Sequence, residues 1–397
     1  MAFNLFFRII LSFFIFAFLG NTSFADINIY AHTQLGMLSP IAKKALFRVY
    51  VPNGNSNTVS VIDPLTYQVI ATYVTGKEPQ HVVPAYDLQT LWVLNNKSNS
   101  VTPIDPQTAK FDKNIPVDDP YNLYFTPDGK FAIVVCEGHK QLQFHDPHTM
   151  KLLSVIPTAC DGANHMEFTP DGQFAIVTCE FSGQLMKVNL VKRQVEGYLA
   201  LSKKAPLLKT FLTEFSITAD GHFFDGSENN SLSDESMPQD IRSSADGRLF
   251  FVADMMKDGL TLIDPITFKQ VGFIPTGIGT HAIYPSRDGK LFYVSNRGCH
   301  HLRCPPHGPG SISVVDPLKK IVLAQWAIPQ GGSPDMGNIT ADGNELWLSG
   351  RYDSEVYVFD TRTGKLTHRI RVGDGPHGLT VWPQPGQYSL GHTGNMR

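Results

Sequence analysis

Short segments in which apolar and polar residues alternate recur along most of the chain. Residues 47–51, 57–63 and 69–74 are the first three, and turns rich in Asn, Gly and Ser separate them. Val, Ile, Phe and Tyr dominate these segments, and their alternation is typical of half-buried antiparallel strands. The pattern therefore predicts an all-β protein.

A strand that ends in Asp, usually followed by Pro, marks each copy of a longer repeat. The first spacings are 42 and 41 residues, a period that fits a four-stranded propeller blade. The marker residues are Asp63, Asp105, Asp146, Asn189, Asp264, Asp316 and Asp360. We therefore predict a seven-bladed β-propeller of four-stranded antiparallel blades.

The ends of the repeat array predict how the ring closes. A strand before Trp382 has no blade of its own, and the blade begun by residues 47–51 lacks one strand. Pairing the two would remove a free sheet edge. Two insertions, at about 202–235 and 298–309, interrupt the period. The first predicts a loop over one face of the ring, and a degenerate eighth blade is the alternative interpretation. Residues 26–397 are thus expected to form one propeller domain.

The first 25 residues have the pattern of a secretory signal peptide. Arg8 precedes an apolar run at 9–19, and Ser23-Phe24-Ala25 predicts cleavage after Ala25. An uncleaved membrane anchor is the alternative, although the run is short for a span. We therefore expect a periplasmic or secreted protein with no membrane span after cleavage.

Charge and missing motifs exclude several functions. The net charge is -3 and the basic residues are scattered, so a nucleic-acid partner is not expected. The chain lacks a Gly-x-Ser-x-Gly elbow, a phosphate loop and a dinucleotide fingerprint. It also lacks Cys-x-x-Cys-His, which excludes covalent c-type haem.

Three phrases of the first repeat resemble the YVTN-repeat β-propellers of bacteria and archaea. They are Tyr-Val-Pro-Asn at 50–53, Asn-Thr-Val-Ser-Val-Ile-Asp at 57–63 and Tyr-Val-Thr-Gly at 73–76. The resemblance extends over seven copies and implies the fold. Related propellers are surface-layer proteins, sugar-lactone hydrolases and binders of d1-type haem, the last with eight blades, so the resemblance implies no single function.

The innermost strands of a propeller begin around one channel mouth, so residues at one repeat position form a ring. The third position of the predicted inner strands reads His81, Asn122, His165, Asp240, His281, Met336 and Gly378. Imidazole, carboxylate and thioether groups together are a metal-ligand set that suits Cu, Zn or Fe. We expect a metal bound by His81, His165, His281, Asp240 and Met336. A polar organic ligand, or a ring that only contacts solvent, are the alternatives.

A second ring is predicted where the next strand of each blade ends. It reads Asn53, Asn95, Glu137, Glu180, Asp254, Asn296 and Arg351. Carboxylates there could orient the histidines or contact a ligand. The expected ligand-binding residues are Asn122, Glu137, Glu180, Asp254 and Arg351.

Five cysteines remain to be placed. In an exported protein Cys299 and Cys304 predict a local disulfide that fixes the second insertion, with a Cys/His metal site as the alternative. If they are unpaired, Cys136 and Cys179 fit small buried hydrophobic positions, and Cys160 has no assignable partner, so the pairing of these three stays open. The polar segment 388–397 is expected to be a solvated tail.

These observations favour an exported propeller that binds a metal ion or small ligand at the channel mouth. As an alternative, the protein is an enzyme that uses the same pocket, either a lactonase-like hydrolase or a metal-dependent lyase or oxidoreductase. A histidine together with Glu137 or Glu180 would then act in acid–base catalysis. A scaffold that captures another exported protein through the two insertions is a third.

Overall fold

The computed structural model describes residues 27–201 and 235–397, and almost all of their regular structure is β. The predicted signal peptide and nearly all of the first insertion lie outside these residues. Two short 3-10 helices span Ala42–Lys44 and Asn96–Ser98. In the described ranges, no helix has the length and apolar character needed to span a membrane.

Seven antiparallel sheets form seven blades, which confirms the predicted fold. From the channel outward, blade 1 contains β29 (Thr380–Trp382), β1 (Arg48–Asn53), β2 (Thr58–Asp63) and β3 (Gln68–Val74). Blade 2 contains β4 (Pro79–Pro84), β5 (Leu91–Asn95), β6 (Ser100–Asp105), β7 (Lys110–Phe111) and β8 (Ile115–Pro116). Blade 3 contains β9 (Asn122–Phe125), β10 (Ala132–Cys136), β11 (Gln141–His145) and β12 (Leu152–Pro157).

The other four blades follow the same order. Blade 4 contains β13 (Ala163–Phe168), β14 (Phe174–Cys179), β15 (Gln184–Asn189) and β16 (Gln194–Ala200). Blade 5 contains β17 (Pro238–Ser243), β18 (Phe250–Asp254), β19 (Gly259–Asp264) and β20 (Lys269–Pro275). Blade 6 contains β21 (Thr280–Pro285), β22 (Phe292–Asn296), β23 (Ser311–Asp316) and β24 (Ile321–Ala327). Blade 7 contains β25 (Pro334–Ile339), β26 (Glu345–Gly350), β27 (Glu355–Asp360) and β28 (Leu366–Arg371).

The ring closes within blade 1, as predicted. Strand β29 pairs antiparallel with β1, with Val381 opposite Val49. Strands from distant parts of the sequence therefore share one sheet, and no inner edge is left open between the first and last blades.

Burial decreases from the channel to the rim of each blade. Every residue of β4 is buried, whereas β3 is mostly exposed. Apolar side chains fill the spaces between neighbouring blades, as Phe144 and Phe168 do between blades 3 and 4. Because this core surrounds the axis, the inner strands can place polar side chains in the channel itself.

The inner strands begin, and the next strands end, at the same face of the ring, which we call the upper face. Cys299 and Cys304 form a disulfide there, in the segment that follows β22. A second disulfide joins Cys160 and Cys179, whose Cα atoms are 5.2 Å apart. The sequence had suggested no partner for either, because the link depends on Ala163 lying opposite Cys179 across β13 and β14. Cys136 is a buried free thiol, as expected.

The expectation of a solvated C-terminal segment is wrong. Leu390, His392 and Asn395 are all at most 2 % exposed. The backbone N–H of His392 donates to Leu123 O at 2.8 Å, and Leu390 O accepts from Phe125 N at 3.0 Å, so the segment extends the sheet at β9. Many of its polar groups, such as Ser389 Oγ and the Arg397 guanidinium, bind other groups of the protein instead of water.

Candidate functional site

Four of the residues predicted as metal ligands lie on inner strands and are fully buried. His81, His165, Asp240 and His281 are at most 2 % exposed, on β4, β13, β17 and β21. The fifth, Met336, lies among apolar side chains between blades, where its Sδ accepts a hydrogen bond from Tyr284 Oη at 3.4 Å. The structure therefore does not bring Met336 to the histidines.

Four imidazole rings form a continuous cluster in the channel. The ring centroids of His165 and His392 are 4.4 Å apart, and those of His81 and His377 are 4.7 Å apart. His81 is also 5.8 Å from His165 and 5.5 Å from His392. Two of these rings were not predicted, since His377 precedes β29 and His392 belongs to the C-terminal segment.

His165, Asp240 and His392 come closest to a metal-ligand set. One ligand atom from each lies within 4.8 Å of the other two, and all three residues are buried. Asp240 also forms an ion pair with Arg242 at 2.9 Å. Burial raises the pKa of Asp240 to about 6, so its carboxylate is ionised at neutral pH beside this guanidinium.

Several imidazole nitrogens of the cluster have no hydrogen-bond partner among the residues that the structure describes. They are both nitrogens of His81, Nε2 of His165, Nε2 of His392 and Nδ1 of His377. An unpaired buried polar group costs about 1–3 kcal/mol, so folded proteins rarely leave several together without a bound group. The unpaired imidazole nitrogens therefore indicate that the channel binds an ion or small ligand.

The neighbours of Nδ1 decide which nitrogen of a neutral ring carries the proton. Tyr124 Oη lies 3.2 Å from Nδ1 of His165, and Thr393 Oγ1 lies 2.8 Å from Nδ1 of His392. The backbone N–H of Thr393 also donates to Nδ1 of His392 at 2.6 Å, so this Nδ1 accepts hydrogen bonds and the proton of the neutral ring lies on Nε2. Asn122 Nδ2 donates to Nδ1 of His165 at 3.0 Å and Arg242 Nη2 donates to Nδ1 of His392 at 3.2 Å, which fixes the ring orientations and places the proton of His165 on Nε2 as well.

Burial keeps these histidines neutral. It lowers the pKa of His81 to about 3 and that of His281 to about 4, and it holds those of His165, His377 and His392 well below the usual range. Neutral imidazole is the form that coordinates metals, so the rings carry no positive charge that would oppose a metal ion near pH 7.

A charged group lies above the imidazole cluster, around Asp335. Its Oδ1 is 2.8 Å from Nδ1 of His281 and 2.8 Å from Nη2 of Arg297. Its Oδ2 is 3.5 Å from Nη1 of Arg351 and 3.7 Å from Nε2 of His377. Burial favours the neutral acid, but Arg297 and His281 outweigh it and hold the pKa of Asp335 well below its usual range.

The second position of the inner strands carries the residues that the sequence analysis missed. It reads Gln80, Tyr121, Asn164, Gln239, Thr280, Asp335 and His377. Polar side chains occupy the whole column, and that pattern would have identified Asp335 and His377. Nothing in the repeat identifies His392.

The predicted second ring divides into structural and channel residues. The side chains of Asn53, Asn95 and Asn296 bind hydroxyls of their own hairpins, as Asn95 Nδ2 does to Thr102 Oγ1 at 2.8 Å. Asp254 accepts from Ser236 Oγ at 2.6 Å and so holds a turn. Glu180 accepts from Asn164 Nδ2 at 3.0 Å. Burial and the charge of Glu180 raise the pKa of Glu137 to about 8.

Comparisons with known proteins agree with the fold. The profile of a family described as "YNCE-like beta-propeller" matches residues 26–146 and 231–385. No curated protein matches the sequence. A protein of unknown function from Desulfotomaculum acetoxidans is 16% identical, with a TM-score of 0.62 over 85% of this chain and 100% of its own.

Two further solved structures share the fold at similar distance. A proposed 6-phosphogluconolactonase from Bacteroides uniformis is 16% identical, with a TM-score of 0.61 over 84% of this chain and 98% of its own. The dihydro-heme d1 dehydrogenase NirN, in complex with DHE, is 17% identical, with a TM-score of 0.55 over 84% of this chain and 64% of its own. Identities this low show a shared fold alone.

Proposed function

The chain belongs to the YNCE-like β-propeller family, and within that fold we propose that it is an exported protein whose channel binds a transition-metal ion. One observation carries the proposal: buried imidazole nitrogens without partners converge in the channel. The proposed ligands are His165, His392 and the Asp240 carboxylate, whose ligand atoms lie within 4.8 Å of one another, with His81 as the adjacent fourth group. Binding at Nε2 of His165 or His392 would release the proton that this nitrogen carries.

The donor set indicates which metals fit. Three neutral imidazoles and a carboxylate suit Cu, Zn or Fe, whereas Mg²⁺ and Ca²⁺ prefer oxygen ligands. Arg242 neutralises Asp240, so the set as a whole carries little negative charge. Nitrogen coordination, rather than charge attraction, must therefore supply most of the affinity.

Export is supported by two independent features. The first 25 residues have the signal-peptide pattern, and disulfides join Cys160 to Cys179 and Cys299 to Cys304. Disulfides persist in oxidising compartments and are rare in the cytosol. Fractionation of the native host tests this part, because a cytosolic protein with reduced cysteines would contradict it.

Elemental analysis of the protein purified from its native compartment tests the metal. The informative variants are His165→Asn and His392→Asn, because asparagine keeps a polar atom near Nδ1 and removes Nε2. His145→Gln is the matched control, since His145 is equally buried but both of its nitrogens have partners at 2.8 Å. We expect stoichiometric metal in the wild type and control, and little in the two variants.

Either of two results would contradict the proposal. One is a folded wild-type protein that contains no metal and takes up none of Cu, Zn or Fe on dialysis. The other is metal that remains after both substitutions. Mass spectrometry of molecules released on denaturation would then test the alternative, in which the channel holds a small organic ligand.

A further inference from the structure

The top of the channel holds two guanidinium groups against one carboxylate. Arg297 is 3 % exposed, and its Nη2 and Nε lie 2.8 and 3.1 Å from Asp335 Oδ1. Arg351 reaches the same carboxylate only at 3.5 Å, and 28 % of its side chain is exposed at the upper face. Arg297 thus compensates the charge of Asp335 through Oδ1, and the charge of Arg351 is left largely uncompensated.

The other charged groups around the mouth do not remove this surplus. Within residues 27–201 and 235–397, neither Glu137 nor Glu180 has a Lys or Arg nitrogen within 4.0 Å. Burial raises the pKa of both acids, and that of Glu137 to about 8, so Glu137 is mostly neutral near pH 7. Lys257 lies 3.6 Å from Asp254 and is compensated by it.

The chemistry of Arg351 indicates the group that would pair with it. A guanidinium presents a planar fork of N–H donors that matches a carboxylate in a bidentate pair. Asp335 Oδ2, the atom nearest to Arg351, is fully buried and has no hydrogen-bond partner within residues 27–201 and 235–397. A ligand on Arg351 would therefore find a hydrogen-bond acceptor next to its carboxylate.

We propose that the mouth binds a small 2-hydroxycarboxylate as a monoanion, with its carboxylate on Arg351 and its hydroxyl donating to Asp335 Oδ2. A single surplus positive charge fits a single negative charge. A dianion such as phosphate would exceed that charge and meet repulsion from Asp335 in a partly desolvated site. This site goes beyond the proposed metal function, because its two contacts do not include the metal ligands.

Calorimetric titration of metal-stripped protein tests the site with three probes. Glycolate carries both groups, acetate lacks the hydroxyl, and inorganic phosphate carries more charge. We expect glycolate to bind tightest, and Arg351→Gln to weaken it about tenfold or more, as loss of a charge-assisted hydrogen bond predicts. Arg351→Lys should restore only part of the affinity, because an ammonium group cannot form the bidentate pair that a guanidinium forms with a carboxylate.

Arg369→Gln is the matched control, since Arg369 pairs with Glu355 at 2.9 Å on blade 7, outside the channel. It should bind glycolate as the wild type does. Equal affinity for glycolate and acetate, tighter binding of phosphate, or an unchanged affinity in folded Arg351→Gln would each overturn the proposal. Metal content of Arg351→Gln separates the two proposals, because it should equal that of the wild type whatever the anions do.

Discussion

Gly378→Ala tests whether close packing positions His81 for coordination. The backbones of β4 and of the segment before β29 are tied there by Val82 N to Gly378 O at 3.0 Å and Gly378 N to Gln80 O at 2.9 Å. A Cβ at position 378 would lie well inside 3.0 Å of the His81 ring. Gly378 has no left-handed φ, so the cost of the substitution is steric.

The size of the effect follows from how little either partner can move. His81 is fully buried and the backbone is hydrogen-bonded on both sides, so the ring must turn away. Overpacking of this kind costs about 1–3 kcal/mol. Urea titration should show that loss in Gly378→Ala, and elemental analysis should show reduced metal. Gly197→Ala, where an added Cβ meets nothing within 4 Å, should change stability by less than about 0.5 kcal/mol.

A double variant isolates the clash. In a His81→Ala background, Gly378→Ala should cost little, because the ring that it would hit is gone. The reasoning is refuted if Gly378→Ala alone keeps wild-type stability and metal content, or if it costs the same with and without the His81 ring.

Two further predictions concern cysteine pairing and pH. Denatured, unreduced protein should react with one equivalent of thiol reagent at Cys136, and the native protein should react with none. The double variant Cys160→Ala/Cys179→Ala should lose about 3 kcal/mol of unfolding free energy, because it lacks one disulfide. Glu137 is a half-buried acid whose pKa is raised to about 8 by burial, Glu180 and Asp119, against Lys97 and Arg351. Between about pH 4.5 and 8 the folded protein keeps this proton and the unfolded chain loses it. The free energy of unfolding of the wild type should therefore fall from about pH 5 to 8 more steeply than that of Glu137→Gln. Identical slopes for the two proteins would contradict this.

The fold was predictable because a period of about 41 residues repeats the same strands and turns. The histidine ring was predictable in part, since His81, His165 and His281 occupy one column of that repeat. Side-chain direction was less predictable. The pairing of the inner strands shifts register near that column, for example between Pro334 and Gly337, and such a shift breaks the alternation from which direction is read.

Residues outside the repeat could not be placed from it. His392 follows the last strand, and its neighbours are polar, so composition suggested solvent. The hydrogen bonds that bury it come from distant residues, such as Leu123 to its backbone and Arg242 to its ring. The disulfide of Cys160 likewise depends on strand pairing that no local spacing encodes.

The C-terminal segment separates the architecture of this protein from its chemistry. Strand β29 ends at Trp382, so all seven blades are complete before residue 386, and the segment beyond contributes His392 alone to the imidazole cluster. Proteolytic removal of that segment would leave every blade strand in place, but it would remove His392 together with the core contacts of Leu390 and Met396. Metal binding would therefore depend on a short stretch of chain that belongs to none of the seven blades, so the site could be lost without loss of a single blade strand.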